Sequence, residues 1–232
     1  MPIHNLEYYS LMPFIILAIG IIVSISIEMI YSKSKYLMPY VSLAIYLLVA
    51  INSVLNIHNH FVVFGGMLET GGKAAFLNIL FNLGAAVVTL SSINYLEKYG
   101  TYFGEFHLLV QLSVLGMMVM AGSKDLFMVF MGLELMSISF YVLVGMNRKR
   151  ITANESSMKY FLLGSFATGF IVYGIALIYG AATTTNIEVI LSNFSNLSAN
   201  VLFVLGMFLL LIGMRFKIAA CTLLSGVSDV YQ

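Results

Sequence analysis

Hydrophobic residues run along this chain in long unbroken blocks, and seven of them, over about residues 11–31, 37–57, 74–96, 106–122, 125–146, 158–181 and 200–222, approach the length of a membrane span. A helix needs ~20 apolar residues to cross the ~30 Å hydrocarbon core of a bilayer. A membrane β-barrel would show apolar and polar residues alternating over segments of ~10 residues, and no block reads that way. The first block is too long for the core of a signal peptide, carries Glu28 near its far end and follows no basic run, which predicts a retained helix. The pattern predicts an all-α, polytopic transmembrane helix bundle of about seven spans, with residues 1–232 as a single transmembrane domain.

Composition supports this picture. With 60% hydrophobic and 9% charged residues, the 232-residue chain has too little polar surface for a soluble globule, so the lipid bilayer is its first partner. The formal net charge of +1 gives no electrostatic reason to bind nucleic acid. Cys221 is the lone cysteine, cannot close an internal disulfide and reads as a small buried side chain. Neither metal-ligand spacing of Cys and His nor a phosphate-cradling glycine pattern occurs, so no metal or cofactor is expected on this chain. Six basic residues, Lys33, Lys35, Lys98, Arg148, Lys149 and Arg150, follow the first, third and fifth blocks, against two, Lys73 and Lys124, after the second and fourth. The positive-inside rule then predicts an external N-terminus.

The candidate chemistry starts from Glu134, in the middle of the fifth block. A charged side chain at the centre of a span costs ~2.5–3.5 kcal/mol on insertion scales, so such groups face a bundle interior or a wet cavity and often mark an ion or proton path. On a helix Glu134, Ser137, Ile138 and Tyr141 share one face, which makes a polar stripe that should look inward. The cations left to answer it are Lys159, Arg215 and Lys217, in or against the last two blocks. Lys159 opens the sixth block, where snorkelling to the interface competes with pairing; Lys217 sits between apolar runs on both sides. Glu28, His4, His58, His60 and His107 fall near block ends or outside, where solvated or interfacial roles are expected. Gly164, Ala167 and Gly169 are expected to permit close helix approach.

Three segments carry a resemblance: Leu112 to Leu126, Met131-Gly-Leu-Glu-Leu-Met-Ser-Ile-Ser-Phe-Tyr to Val144, and Glu155-Ser-Ser-Met-Lys-Tyr-Phe-Leu-Leu-Gly164. With Met67 to Phe76, Tyr173 to Gly180, Phe216 to Ala220 and Asp229-Val-Tyr-Gln232, they fall in the order found in subunit N of the bacterial proton-pumping NADH-quinone oxidoreductase, respiratory complex I, which this chain resembles from about residue 10 to its end. The resemblance implies the first half of an antiporter-like subunit of about fourteen helices, with three N-terminal helices over residues 10–100 and an incomplete first repeat over 104–232. It implies a bacterial cell inner membrane, the other membrane subunits of complex I as partners, and no redox group on this chain; NADH, FMN, Fe–S clusters and quinone belong to the parent complex. By position it implies proton-translocation roles for Glu134, for Lys217 in a broken seventh helix, and for Lys159 ahead of the sixth-helix core. The Glu134/Lys217 contact would open and close to modulate a proton-accepting lysine.

Two departures accompany the resemblance. The sequence ends near half the family's length, which predicts a fragment lacking the second repeat, and Cys221 to Ser228 stands where the family reads Val-Pro-Phe-His-x-Trp-x-Pro. Length is kept while identity is lost, which predicts a shifted reading frame closed by a second shift. Two other functional readings stay open at this stage: a subunit of a multi-subunit Na⁺/H⁺ antiporter, and, from a different class, a seven-helix receptor or retinal protein with Lys217 as Schiff-base site.

Overall fold

The computed structural model of the chain describes residues 3–30, 37–99, 103–147 and 150–218. Cys221, the altered 221–228 segment and Asp229 to Gln232 lie outside the described residues, as do Lys33, Lys35, Arg148 and Lys149. The chain divides into two compact units, Met1–Ser123 and Lys124–Gln232.

The first unit contains α1 (Ile3–Ile30), α2 (Leu37–Leu55), α3 (Gly72–Tyr99) and α4 (Phe103–Gly122). Helices α1 with α2, α2 with α3, α3 with α4, and α4 with α1 pack in turn, closing a four-helix arrangement. The helices outrun their apolar blocks at several ends, because terminal helical turns tolerate polar residues that hydropathy alone reads as loop. One element escapes the hydrophobic-block reading: β1 (Phe61–Val63) and β2 (Leu68–Thr70) form a short antiparallel hairpin between α2 and α3, in the register Phe61 to Thr70. Phe-Val-Val is a strand-favouring run, and Gly65 and Gly66 supply the positive φ values of 63° and 96° that the turn needs. Helix α4, which the resemblance groups with the repeat that follows it, packs on α1, α2 and α3.

The second unit contains α5 (Leu126–Val144), α6 (Ile151–Ala182), α7 (Ile187–Ser192), α8 (Phe194–Leu197) and α9 (Val201–Lys217). Helix α5 begins at Asp125, whose carboxylate accepts from the Phe127 and Met128 amides at 2.8 and 3.3 Å, satisfying two of the free donors of the first turn. Its other oxygen accepts from the Thr185 hydroxyl at 2.5 Å, and the Leu126 amide donates to the Thr185 carbonyl at 2.9 Å. These bonds tie the start of α5 to the segment that follows α6.

Helix α6 begins at Ile151, seven residues before the apolar block, and takes in Asn154 to Ser157. The i, i+4 pair Glu155 and Lys159 supports that extension, with nitrogen and oxygen 2.7 Å apart. Its most extensive partner is α9, and small residues set the approach: a Cβ on Gly206 would come 2.8 Å from the Gly174 carbonyl oxygen, and one on Gly213 would come 2.8 Å from that of Ala167. Lipid is as apolar as Leu, so close backbone packing replaces hydrophobic burial as the source of helix association in a membrane. Gly164 lies hard against Tyr141 of α5 and Ala167 is buried, as expected for close approach, but Gly169 faces open space, because it lies off the face that α6 turns to its neighbours.

Six stretches of the described residues are long and apolar enough to cross a membrane: Tyr9–Ile30, Leu37–Leu55, Gly72–Leu96, Gly104–Gly122, Leu126–Val144 and Ile151–Ala182. The seventh block appears as α9, 17 residues long within the described part. The chain is an all-α, polytopic membrane bundle.

Candidate functional site

The site lies in the second unit and is built on α5. Glu134, Ser137 and Tyr141 stand at i, i+3 and i+7, so their side chains line one face. Ser137 and Tyr141 are buried. Lys217, the last residue of α9, brings its ammonium to this stripe: Nζ donates to Oε1 of Glu134 at 2.9 Å, to Oγ of Ser137 at 3.0 Å and to Oη of Tyr141 at 3.0 Å. An ammonium has three N–H donors and no acceptor, so three oxygens match its valence. The side chains of Lys217 and Glu134 are 8% and 19% exposed. Two opposite charges held this close offset much of the cost of leaving water, and the added hydroxyls supply the hydrogen bonds that make such a pair tolerable.

Each oxygen around the ammonium is itself held. The Ser137 hydroxyl donates to the Leu133 carbonyl at 2.7 Å, which leaves its lone pairs to accept from lysine. Tyr141 packs edge-on against the rings of Tyr160 and Phe161 on α6, at centroid separations of 4.8 and 5.8 Å. The Ser157 hydroxyl donates to the Tyr141 carbonyl at 2.8 Å. Thr168 on α6 sets Glu134: its hydroxyl lies 2.8 Å from Oε1 and 3.0 Å from the Gly164 carbonyl, two acceptors for one proton.

The chemistry open to this arrangement is proton exchange between two sites of one neutral pair. Moving a proton from Nζ to Oε1 turns an ion pair into an amine and a carboxylic acid, with no change in net charge inside the membrane. Breaking the contact instead leaves an isolated charge on each side, which the surroundings must answer.

Of the three residues singled out from the sequence, Glu134 and Lys217 are brought together. Lys159 makes its ion pair with Glu155, one turn back on α6, and both side chains are substantially exposed. Arg215 is exposed. Thr168 was missed, because a threonine in an apolar helix carries no mark of its partner until the register of α6 against α5 is known. His107 is a correction: expected near a span end with a solvated or interfacial role, it is fully buried in α4, because α1, α2 and α3 cover the end of the span. Among the described residues no group of three or more His, Cys, Asp or Glu is placed to hold a metal ion.

Fold and site thus define a polytopic membrane helix bundle with a largely buried lysine–glutamate pair. Residues 123–232 match the transmembrane family described as NADH:quinone oxidoreductase/Mrp antiporter. The chain is 45% identical over 161 residues to NADH-quinone oxidoreductase subunit N of Trichlorobacter lovleyi, covering 68% of this chain and 33% of that protein. It is 36% identical over 228 residues to subunit N of Dehalococcoides mccartyi, covering 95% of this chain and 47% of that protein. Among solved structures, a chain of respiratory complex I from Thermus thermophilus with bound aureothin superposes with a TM-score of 0.76 at 26% identity, over 95% of this chain and 47% of that one. The chain is similar in sequence to NADH-quinone oxidoreductase subunit N proteins, as the sequence segments implied, and in fold to a chain of respiratory complex I, and it spans about half the length, or less, of the curated relatives it matches.

Proposed function

We propose that this chain contributes to a membrane-arm subunit of a bacterial proton-translocating NADH-quinone oxidoreductase, in which electron transfer from NADH to quinone drives protons across the inner membrane. The observation that carries the proposal is the Lys217 ammonium held at 2.9 Å by Glu134 inside a membrane helix bundle. In this reading Glu134 and Lys217 form the switchable pair of the first antiporter-like repeat, over residues 104–232, and Lys159 lies on the route by which a proton reaches or leaves it. NADH, FMN, Fe–S clusters and quinone act elsewhere in the parent complex, whose other membrane subunits are the partners of this chain. The N-terminus faces outward, as the basic residues after the first, third and fifth blocks favour.

The alternative reading, a subunit of a multi-subunit Na⁺/H⁺ antiporter, is favoured by the matching family, whose description covers Mrp antiporters as well. Identity of 45% to a subunit N over 161 residues supports the first reading over it. Affinity purification of the tagged chain from its native membranes separates the two. Recovery of quinone-reducing subunits supports the proposal; recovery of antiporter subunits without them rejects it.

A further inference from the structure

The first unit has a polar interior that the Glu134 site does not use. Ser24 on α1, Ser42 on α2, Asn82 and Thr89 on α3, and His107 and Gln111 on α4 are all fully buried, although each lies in a membrane span. Gln111 sits at their centre: its Nε2 donates to Oγ of Ser24 and to Oγ of Ser42, each at 3.0 Å, so one amide joins three helices. The same amide's Oε1 is buried and meets no donor among the described residues, and neither Nδ1 nor Nε2 of His107 meets a partner there. His107 and Gln111 are i, i+4 neighbours, so the orphan atoms belong to one face of α4.

The end of this seam is marked by a second feature. Gly104, one turn before His107, leaves the space in which the Glu28 carboxylate sits, and any Cβ there would collide with that carboxylate. Glu28 lies one turn beyond Ser24 on α1. Two adjacent rungs therefore join α1 to α4, Glu28 with Gly104 and Ser24 with Gln111, and His107 stands between them on α4. Glu105 is exposed at the same end.

We propose that His107, Gln111, Ser24 and Ser42 form a water-binding site inside the first unit. The donor set decides the ligand. A neutral imidazole offers one donor and one acceptor, and the free amide oxygen of Gln111 offers an acceptor. A metal cation would satisfy the acceptors and leave the imidazole N–H unmet, whereas water both donates and accepts and is small enough for a helix interface. Buried waters in proteins bridge polar groups of this kind, with two to four hydrogen bonds each.

The site is tested by water-edited solid-state NMR of the 232-residue chain, labelled with ¹⁵N-histidine and reconstituted in phosphatidylcholine vesicles. His107→Gln identifies the His107 signals by their disappearance. The expected result is transfer from water protons to the His107 ring nitrogens at short mixing times, as for the exposed His60 ring. In Ser42→Ala, the hydroxyl that anchors Gln111 is removed without added bulk, and transfer to His107 should fall several-fold while His60 is unchanged. Transfer into His60 with none into His107 in the unsubstituted protein would overturn the site without reference to any variant.

Discussion

Lys217 and Glu134 stand 83 positions apart in the chain and 2.9 Å apart in space, the last residue of α9 against the middle of α5. Neither charge is exposed enough for water to replace the other, so the loss of one partner strands the second. A double-mutant cycle should expose this. Glu134→Ala and Lys217→Ala should each destabilise the chain in detergent, the double variant should be no worse than the more damaging single, and the coupling should be ~1–3 kcal/mol. Strictly additive losses in denaturant titrations would mean that the contact contributes nothing.

Thr168 orients the carboxylate through a 2.8 Å hydrogen bond. Thr168→Val keeps the shape and removes the donor, which should cost about 1 kcal/mol of stability, the usual net worth of one hydrogen bond. Thr168→Ser should retain most of it. Equal stability of the valine variant and the parent would argue that Glu134 is held by lysine alone.

Glycines of α6 and α9 should divide by what surrounds them. Gly206→Ala pushes a methyl against the Gly174 carbonyl and the Ile178 side chain, so it should lower thermal stability. Gly169→Ala meets nothing within 4 Å and should be neutral or stabilising, since alanine is favoured over glycine in a helix interior by ~0.5–1 kcal/mol. Circular-dichroism melts of the two variants make the comparison, and the same response from both would remove the role assigned to the Gly206 contact.

How much of this was legible in the sequence varied with the range of the interaction. The spans follow from composition over about 20 residues, and the Glu134, Ser137 and Tyr141 stripe follows from helical period within α5; both could be read locally. Lys217 was legible as a cation with apolar sequence on both sides, yet its choice of Glu134 depends on how α9 meets α5. Thr168 gave no signal, for the same reason. His107 was read as interfacial because it lies near the start of its span, and only the packing of α1 to α3 around α4 buries it. The β1–β2 hairpin escaped the reading because three-residue strands are too short to produce a pattern.

The orientation proposed from the basic residues can be checked by labelling single cysteines in a background lacking Cys221. A cysteine placed at Asn147, beside Arg148 to Arg150, should react with a membrane-impermeant maleimide in inverted vesicles and resist it in right-side-out ones. Preferential reaction in right-side-out vesicles would reverse the topology.

The measurement that bears most directly on the proposed role is the number of protons translocated per NADH oxidised, in inverted vesicles from cells whose NADH-quinone oxidoreductase carries this sequence within a complete subunit. Glu134→Ala should lower that ratio or the quinone-linked turnover, Glu134→Asp should lower it less, and NADH oxidation by ferricyanide should stay at the parent level, because the pair takes no part in redox chemistry. Unchanged stoichiometry and unchanged quinone reductase activity in Glu134→Ala would contradict the account.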